Sequence, residues 1–379
     1  MTPMRVVILT ADTGGGHRSV SEALVEAFQE IGQNDVMMMD VFKYVPPPWN
    51  QIPKFYLPTI NRASRAWSAS YRLFNTRAAG SVYMRGLIDP LTRFGMRRLY
   101  RERQPSLVIS THPLFQFVPA KILHKQLPGV PFVTMVTDFA SAHRWWFTPE
   151  TELCLLPSEE LRPLALAHGV AAKNIYVTGL PVHRAFSLNR YVTRQEARAA
   201  LGVADRTTLL LVGGGEGMGA LEAMALAVER ELPEMQMLIV AGRNQKLLEK
   251  LSARQWVGPT HVYGFVRNMP QLMRAADVIV TKAGPSTLSE ALICGLPILL
   301  SGFVPGQEEG NVKFVLDHKT GHILETPDTD LAPALQQMMA NDGAGLAELA
   351  QNAYALGKPD AAREAVRLVM QLYQVASAK

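Results

Sequence analysis

Two polar residues that follow apolar, strand-like runs could act as general bases. Residues 14–16 are consecutive glycines, and His17 follows them directly at the start of an amphipathic segment. Because the positive end of a helix dipole disfavours imidazolium, a histidine there would stay neutral and could accept a proton. The glycines would let backbone and substrate approach closely. Asp138 ends the run "PFVTMVTD" and is the competing base, or else it orients His17, holds His143 or caps the next turn.

A second chemical site is predicted in the stretch "DVIVTKAGPSTLSEAL". A strand-like run leads to Gly284, and Pro285 stands at the first helical position, where proline is favoured. The free backbone N–H groups of Ser286 and Thr287, their hydroxyls and the helix dipole would together bind a diphosphate. Glu290 follows on the same helix and could accept hydrogen bonds from both hydroxyls of a ribose.

Residues from neighbouring strand ends extend this second site. The stretch "SGFVPGQEEGN" follows the next strand-like run and would meet sugar hydroxyls through Gln307, Glu308 and Asn311. Gly264 and Phe265 could offer backbone groups to the edge of a base. The combination predicts a nucleotide-sugar site rather than a site for ATP or NAD.

The glycine-rich stretch "GGGEGMG" leaves an alternative open. None of the three glycine clusters ends in Gly-Lys-Ser/Thr, so none is a Walker loop. Gly215 and Gly217 fit a dinucleotide fingerprint, but the next strand-like run lacks the terminal acid that grips the ribose of NAD. Arg243 at that position would suit NADP. The stretch therefore has three interpretations. It forms a tight strand–helix turn, a phosphate loop for a nucleotide sugar, or an NADP site.

Several aromatic and imidazole side chains are candidate site residues because of their positions in the sequence. His112, in "STHPLF", stands at the end of a strand and either lines the cleft or has a structural role before Pro113. His143, Trp145 and Trp146 either meet lipid or sugar, or pack beneath the site.

Two patterns that resemble metal sites are better explained otherwise. Residues 328–330 have the Asp-x-Asp form of metal-dependent transferases, but they follow Pro327 and precede a helical run, so helix capping is expected. His318 and His322 are four residues apart, but Gly321 intervenes and no helix is expected there. We therefore predict no protein-held metal and no other cofactor.

The elements that must position these residues alternate along the chain. Apolar runs followed by helical patterns occur in both halves, as in parallel sheets covered on both faces. The runs are "RVVILTA", "SLVIST", "PFVTMVTD" and "ELCLLPS", then "TTLLLVGGG", "MQMLIVAG", "DVIVTKAG" and "LPILLSG". The class is α/β with two Rossmann-like domains, which divide near the polar stretch "GLPVHRAFSLNRYVTRQEARAALGVADR". Ligands would bind at the carboxyl ends of the strands, in the cleft between the domains.

Composition excludes several classes of protein. A chain of 379 residues suggests two domains, and two cysteines, Cys154 and Cys294, form neither a disulfide framework nor a thiolate zinc site. The N-terminal apolar run is too short for a signal peptide, and no run approaches the ~20 residues of a membrane-spanning helix. We expect a soluble or peripheral protein of the cytoplasm.

Positive charge is concentrated in residues 43–103. This region holds twelve Lys or Arg and two acids, although the net charge of the whole chain is only +5. Aromatic residues are interleaved, and Arg65 and Trp67 lie among them. Such a mixture suits the anionic surface of a membrane. A solvated basic face is the alternative, whereas no recognition motif for nucleic acid accompanies the region.

Motifs along nearly the whole chain resemble the monogalactosyldiacylglycerol synthases, and more distantly the processive diacylglycerol glucosyltransferases and the glycosyltransferase that makes lipid II. The matching stretches include "TGGGHRSVSEAL", "THPLFQ", "VTDFASAHRWWF", "VTGLPVHRAF", "LVGGGEGMG", "GFVRNMPQLMRAADVIVTKAGPSTLSEAL", "GLPILLSGFVPGQEEGNVKFV" and "GKPDAAREAV". The resemblance implies the GT-B fold. It implies an acceptor and membrane-binding domain in residues 1–185, a UDP-sugar domain in 186–358, and a last helix in 359–379 that crosses back to the first domain.

The resemblance also implies an activity. The enzyme would move galactose from UDP-galactose to the 3-hydroxyl of 1,2-diacylglycerol with inversion, as a peripheral protein on the cytoplasmic face of an anionic membrane. His17 or Asp138 would be the base. The acceptor and membrane side would include Gly15, Gly16, His112, His143, Trp145, Arg65 and Trp67. The donor side would include Gly215, Gly217, Arg243, Phe265, Gly284, Ser286, Thr287, Glu290, Gln307, Glu308 and Asn311.

Two residues depart from the family's pattern, and other functions stay open. Ser286 stands where many members have a second glycine, and Glu309 lies in the sugar-facing loop, so UDP-glucose is an alternative donor. A UDP-sugar epimerase of the same fold, a non-catalytic protein that binds anionic lipid, and an NADP oxidoreductase are the alternatives of other classes.

Overall fold

The computed structural model describes residues 4–11, 15–47, 49–51, 64–76, 89–214 and 220–378. The chain divides into two compact units. The N-terminal unit comprises Met1–Arg184, Val304–Gly310 and Asp360–Lys379, and the C-terminal unit comprises Ala185–Phe303 and Asn311–Pro359. The last segment of the chain therefore belongs with the first.

The N-terminal unit is built on a parallel six-stranded sheet in the order β2-β1-β3-β4-β5-β6. Its strands are β1 Val6–Thr10, β2 Val36–Asp40, β3 Leu107–Ser110, β4 Phe132–Met135, β5 Leu153–Leu156 and β6 Ile175–Val177. The central strands are buried on both faces, which explains their continuous apolar runs. Its helices are α1 Gly16–Glu30, α2 Ser64–Phe74, α3 Asp89–Arg103, α4 Phe117–Gln126, α5 Arg162–Ala167 and, at the end of the chain, α14 Ala361–Ser377.

The C-terminal unit has a second parallel six-stranded sheet in the order β12-β11-β10-β7-β8-β9. Its strands are β7 Thr208–Val212, β8 Gln236–Val240, β9 Thr260–Tyr263, β10 Val278–Lys282, β11 Ile298–Gly302 and β12 Gly321–Ile323. The remaining helices are α6 Arg184–Asn189, α7 Arg194–Leu201, α8 Leu221–Glu231, α9 Gln245–Ser252, α10 Met269–Ala275, α11 Pro285–Cys294, α12 Glu309–Asp317 and α13 Pro327–Leu356. The α13 backbone leaves helical geometry at residues 340–343. The predicted α/β class with two Rossmann-like sheets is confirmed.

Each sheet has one point where the strand order reverses. In the N-terminal sheet the chain moves outward from β1 to β2 and then returns to β3 on the other side of β1. In the C-terminal sheet the reversal lies between β7 and β10. Helices leave neighbouring strands on opposite faces at such a point, so a crevice opens beyond the strand ends. Of the predicted glycine clusters, the described residues Gly15 and Gly16 follow β1, Gly213 and Gly214 follow β7, and Gly284 follows β10. These described glycines therefore lie at the two reversal points.

None of the described helices combines the length and the apolar character needed to cross a membrane.

Candidate active site

His17 lies at the reversal point of the N-terminal sheet. Gly15 caps α1 in the left-handed region, with φ +84°, a conformation that glycine adopts readily. Gly16 is the first residue of the helix, and His17 is the second. The His17 Nδ1 atom lies 2.8 Å from the carbonyl oxygen of Thr111 at the end of β3 and 2.7 Å from Thr137 Oγ1 after β4. Three strand ends thus position one imidazole.

These contacts determine which nitrogen of His17 carries the proton. A carbonyl oxygen can only accept a hydrogen bond, so Nδ1 must be the protonated nitrogen that donates to Thr111. Nε2 is then left with its lone pair. Burial lowers the pKa of His17 to about 4, although the hydrogen bond to the Thr111 carbonyl acts in the opposite direction. The ring is therefore neutral at pH 7, and Nε2 has the form that a general base needs.

His112 packs beside the His17 ring. Its ring lies 4.6 Å from the ring of His17 and 4.9 Å from that of Phe115, centroid to centroid. Its Nδ1 accepts a hydrogen bond from the backbone N–H of Leu114, at 3.3 Å. The side chain is buried, and burial holds its pKa well below the usual value. His112 therefore supports the wall of the crevice as an uncharged ring.

Asp138 is held by donors of its own. Trp146 is fully buried and donates from Nε1 to Asp138 Oδ2 at 2.7 Å. Burial is the main cause that raises the pKa of Asp138 to about 6; hydrogen bonds from Trp146, the His143 backbone and the Gln307 side chain oppose this rise, and the Glu308 charge adds to it. The carboxylate is mostly ionised at pH 7. The His17 ring is oriented by its contacts with Thr111 and Thr137 and not by Asp138.

His143 and Trp145 pack against α2. The His143 ring is buried, with Tyr71 at 4.9 Å and Trp145 at 4.2 Å between ring centroids. The Trp145 ring lies 6.2 Å from Phe74. Burial lowers the pKa of His143 to about 4. Together with the buried Trp146, these contacts favour the packing interpretation over direct contact with lipid or sugar.

The segment 304–310, expected to meet the donor sugar, belongs to the N-terminal unit. The backbone carbonyl of Gln307 accepts a hydrogen bond from Ser141 Oγ at 2.8 Å. Glu308 is buried and accepts from the Val304 backbone N–H at 2.8 Å. Glu309 forms an exposed ion pair with Arg72 of α2 at 2.8 Å. In this structure the side chains of Gln307 and Glu308 thus serve the loop itself and Asp138.

The predicted donor residues at the reversal point of the C-terminal sheet begin α11. Gly284 caps the helix with an extended backbone, and Pro285 occupies its first position. Ser286, Thr287 and Glu290 are half-buried on the first two turns. Burial raises the pKa of Glu290 to about 8, so its carboxyl is largely protonated at pH 7. The first-turn N–H groups have no partner within the helix and form a potential anion site.

Three other predicted donor residues belong to the C-terminal unit. Asn311 is fully buried and donates from Nδ2 to the carbonyl of Ala283 at 2.9 Å, so it supports the turn before Gly284. The Arg243 guanidinium lies over the exposed Phe265 ring, 4.4 Å from its centroid, at the ends of β8 and β9. Arg243 and Phe265 thus form a cation–π contact with each other.

Four of the predicted site residues lie wholly or partly outside the described part of the chain. Gly215 and Gly217 lie outside the described residues. Arg65 and Trp67 belong to the α2 backbone, but their side chains lie outside the described part.

Sequence reasoning missed Thr111 and Thr137, the two residues that hold His17. Thr111 is the last residue of the run "SLVIST" and Thr137 the next to last of "PFVTMVTD", positions that many residues without any function also occupy. Their proximity to His17 depends on the neighbouring positions of β1, β3 and β4 in the sheet. This proximity could not be predicted, because local sequence does not determine the order of the strands in the sheet.

The Asp-x-Asp pattern at residues 328–330 has a structural explanation. Asp330 lies in the first turn of α13 and accepts a hydrogen bond from the Thr326 backbone N–H at 2.7 Å. Within the described ranges, no group of three or more His, Cys, Asp or Glu side chains could hold a metal ion.

Two family models match the chain. The family model of monogalactosyldiacylglycerol (MGDG) synthase matches residues 17–182, and that of the glycosyltransferase family 28 C-terminal domain matches 208–365. The chloroplastic MGDG synthase of Spinacia oleracea is 37% identical over 373 residues, which cover 95% of this chain and 71% of that protein. The probable MGDG synthase of Glycine max is 36% identical over 380 residues, covering 95% and 69%.

Solved structures show the same fold at low sequence identity. MurG from Acinetobacter baumannii superposes with a TM-score of 0.60 at 17% identity, over 97% of this chain and 99% of MurG. The UDP-GlcNAc 2-epimerase of Neisseria meningitidis, solved with UDP-GlcNAc, superposes with a TM-score of 0.61 at 13% identity, covering 97% and 100%.

The fold and the two matching family models define a GT-B glycosyltransferase, and the chain is a hexosyltransferase. The predicted resemblance is confirmed, since relatives above 30% identity align with nearly the whole chain. The chain belongs to the monogalactosyldiacylglycerol synthase family.

Proposed function

We propose that the enzyme transfers galactose from UDP-galactose to the 3-hydroxyl of 1,2-diacylglycerol and inverts the anomeric centre, giving β-monogalactosyldiacylglycerol. The observation that carries this proposal is the His17 imidazole, protonated at Nδ1 and unprotonated at Nε2. This arrangement lies at the reversal point of the first sheet, within the part of the chain that matches the MGDG synthase model. The names of the relatives supply the acceptor class and the sugar.

The reaction is a single displacement. As Nε2 of His17 takes the proton of the acceptor hydroxyl, the acceptor oxygen attacks C1 of the galactose. The bond from C1 to the UDP oxygen breaks, and UDP leaves with that electron pair. Attack from the face opposite the leaving group converts an α-linked donor into a β-linked product. Asp138 is the second candidate base, although hydrogen bonds already occupy its carboxylate.

The donor would bind at the start of α11. Backbone N–H groups and the hydroxyls of Ser286 and Thr287 would meet the diphosphate and stabilise the charge that develops as UDP leaves. Glu290 would accept from the ribose hydroxyls. Since those hydroxyls favour the ionised carboxylate, donor binding would release the proton that burial holds on Glu290.

No cofactor is part of the proposal. The helix start supplies the electrostatic stabilisation of UDP, so we propose that activity persists after treatment with a chelator. Because diacylglycerol is a membrane lipid, the enzyme would work as a peripheral protein, on the cytoplasmic face of the membrane.

The test is a matched assay with radiolabelled UDP-galactose or UDP-glucose and diacylglycerol, run with wild type and His17→Ala. We expect label in a lipid product from UDP-galactose, and a loss of rate of at least about a hundredfold in His17→Ala. The anomeric configuration of the product, determined by NMR, tests inversion.

Other outcomes would change the assignment in defined ways. Product from UDP-glucose alone would replace the donor and keep the mechanism. If a folded enzyme binds UDP but labels no lipid from either donor, the diacylglycerol acceptor is wrong. Conversion of the UDP-sugar without any lipid would favour the epimerase alternative.

A further inference from the structure

Two fully buried hydroxyl groups connect α1 with the end of β3. Ser21 lies about one helical turn after His17, and Thr111 directly follows β3. Ser21 Oγ and Thr111 Oγ1 are 2.9 Å apart, and neither side chain is exposed to solvent. Because a buried hydroxyl is costly unless it is hydrogen-bonded, the partners of these two groups decide what they contribute.

Each hydroxyl also contacts one backbone carbonyl oxygen. Ser21 Oγ lies 2.8 Å from the carbonyl of His17, and Thr111 Oγ1 lies 3.2 Å from that of Leu9 in β1. A carbonyl only accepts, and each hydroxyl has a single proton, so the protons can run in two orders. In the first order, Thr111 donates to Ser21 and Ser21 donates to His17. In the second, Ser21 donates to Thr111 and Thr111 donates to Leu9. The shorter carbonyl contact favours the first order.

The first order closes a ring of hydrogen bonds around His17. The imidazole Nδ1–H donates to the carbonyl oxygen of Thr111 at 2.8 Å. The hydroxyl of the same threonine is connected through Ser21 to the His17 backbone. The ring and the carbonyl of the histidine are therefore both fixed relative to one residue at the end of β3. Because only the side-chain dihedral angles of His17 lie between these two points, the closed ring of bonds determines where Nε2 points.

The hydroxyl of Ser21 is not needed by α1 itself. Serine is a weaker helix former than alanine, and a hydroxyl that bonds back to the carbonyl one turn earlier slightly destabilises a helix. The neighbouring buried positions of this helix, Val20, Ala23 and Leu24, are apolar. The bond to Thr111 is thus the contribution that distinguishes Ser21 from an alanine at the same position.

We propose that Ser21 is a positioning residue, which holds the His17 ring in the orientation that the transfer reaction uses. It acts through the Thr111 hydroxyl and does not touch the substrate, since its side chain is fully buried. The inference rests on the proposed function in one respect: the benefit to the rate follows from the assignment of His17 as the base. The hold on the ring is independent of that assignment.

The kinetic experiment compares Ser21→Ala with wild type in the transfer of galactose to a short-chain, dispersed diacylglycerol. We expect kcat to fall about tenfold with little change in the KM for UDP-galactose, because a small displacement of a reacting group slows the chemical step and leaves donor binding intact. The variant should fold, since the Thr111 hydroxyl can still donate to the Leu9 carbonyl.

Substitutions of Thr111 provide a matched pair and a double variant. Thr111→Val replaces the hydroxyl by a methyl group and should lower kcat about as far as Ser21→Ala. Thr111→Ser keeps the hydroxyl and should retain most of the rate. Because both hydroxyls act in one chain of hydrogen bonds, the double variant Ser21→Ala/Thr111→Val should lose no more than the larger of the two single losses.

Thr151→Val is the control for the general loss of a buried hydrogen bond. Thr151 is buried in the same unit, and its hydroxyl lies 3.1 Å from the carbonyl of Phe132 and 2.9 Å from that of Leu153. These two residues begin β4 and β5, so the control lies at the amino ends of the strands, opposite the end that holds His17. We expect its kcat to match wild type, and thermal unfolding of every variant measures the loss of stability.

A second measurement does not depend on activity. In protein labelled with nitrogen-15 at histidine, NMR reports which ring nitrogen of His17 carries the proton, and the signals of His17 are those that disappear in His17→Gln. We expect the Nδ1–H form in wild type, since Nδ1 faces the Thr111 carbonyl. In Ser21→Ala, part of this signal should be lost and the Nε2–H form should appear. Thr151→Val should give the wild-type spectrum.

Two results would overturn the proposal. If Ser21→Ala leaves the His17 signals at their wild-type positions and intensities, Ser21 does not hold the ring, whatever the rate. If Thr151→Val lowers kcat as far as Ser21→Ala, the loss reflects stability and not position.

Failure of the proposed function would look different. Changed His17 signals in Ser21→Ala, with no loss of rate in that variant or in His17→Gln, would support the hold on the ring and contradict His17 as the base. If Ser21→Ala does not fold, Thr111→Val and Thr111→Ser carry the same two measurements.

Discussion

At the scale of single residues, the two candidate bases differ in the pH at which they become protonated. A general base works only in its unprotonated form, so the rate falls as pH drops below its pKa. Burial lowers the pKa of His17 to about 4 and raises that of Asp138 to about 6. The acidic limb of the pH–rate profile therefore distinguishes them.

If His17 is the base, kcat at saturating UDP-galactose stays level from pH 8 to pH 6 and falls only as the pH approaches about 4. We expect His17→Gln to lose at least about a hundredfold in kcat, and Asp138→Asn to lose clearly less. Brief exposure to each pH followed by assay at pH 7 controls for acid unfolding. A limb centred near pH 6 that disappears in Asp138→Asn would make Asp138 the base.

Substitution of Thr137 tests how the candidate base His17 is held. Its hydroxyl oxygen lies 2.7 Å from His17 Nδ1 and shares the proton given to the Thr111 carbonyl. Because Nδ1–H becomes more acidic when Nε2 takes a proton, loss of this oxygen weakens the base. We expect Thr137→Val to lower kcat by about ten- to a hundredfold with little change in the KM for UDP-galactose.

Thr137→Ser is the matched variant, since it keeps the hydroxyl and removes only a methyl group. We expect it to restore most of the rate. If the serine variant falls as far as the valine variant, Thr137 acts through packing and not through its oxygen.

At the scale of elements, the start of α11 depends on a residue that is distant in sequence. Sequence reasoning placed Asn311 among the contacts of the donor sugar. In the structure its amide is buried against the Ala283 carbonyl, directly before the Gly284 cap. Removal of the amide leaves that carbonyl unsatisfied, which costs about 1–3 kcal/mol.

Binding of UDP without a sugar separates the two roles of Asn311. If Asn311 supports the turn, Asn311→Ala weakens UDP as well as UDP-galactose, each by about tenfold. If it only meets the sugar, UDP affinity stays at the wild-type value. Asn352→Ala is the control, because Asn352 also donates to a backbone carbonyl, that of Lys319, at 2.9 Å. We expect it to leave both affinities unchanged in calorimetric titrations.

Whether a strand could be predicted from sequence depends on its position in the sheet. Eight apolar runs identified from sequence correspond to the inner strands β1, β3, β4, β5, β7, β8, β10 and β11. The four strands without such a run, β2, β6, β9 and β12, are the edges of the two sheets. An inner strand is buried on both faces and must be apolar throughout, whereas an edge strand is only partly buried and tolerates polar residues.

At the scale of the whole molecule, the end of the chain completes the unit that its beginning forms. Helix α14 packs against α1, and Arg363 forms an ion pair with Glu30 at 2.8 Å. Val366 and Val369 of α14 are buried in the N-terminal unit. The family resemblance implied such a return. The particular partner helix could not be predicted, because the amphipathic pattern of α14 identifies it only once α1 is known to offer an apolar face.

This packing predicts that damage to the last helix affects the first unit. Val369 is fully buried and Val375 is 59% exposed on the same helix, so aspartate substitutions at the two positions form a matched pair. We expect Val369→Asp to destabilise the N-terminal unit by about 4 kcal/mol, since it buries an unpaired charge, and Val375→Asp to change stability by less than about 0.5 kcal/mol. Calorimetric unfolding with and without UDP measures the effect. If the C-terminal unit holds UDP as proposed, Val369→Asp loses transferase activity yet retains UDP affinity near the wild-type value. Loss of UDP affinity in parallel with activity would show that the two units unfold together.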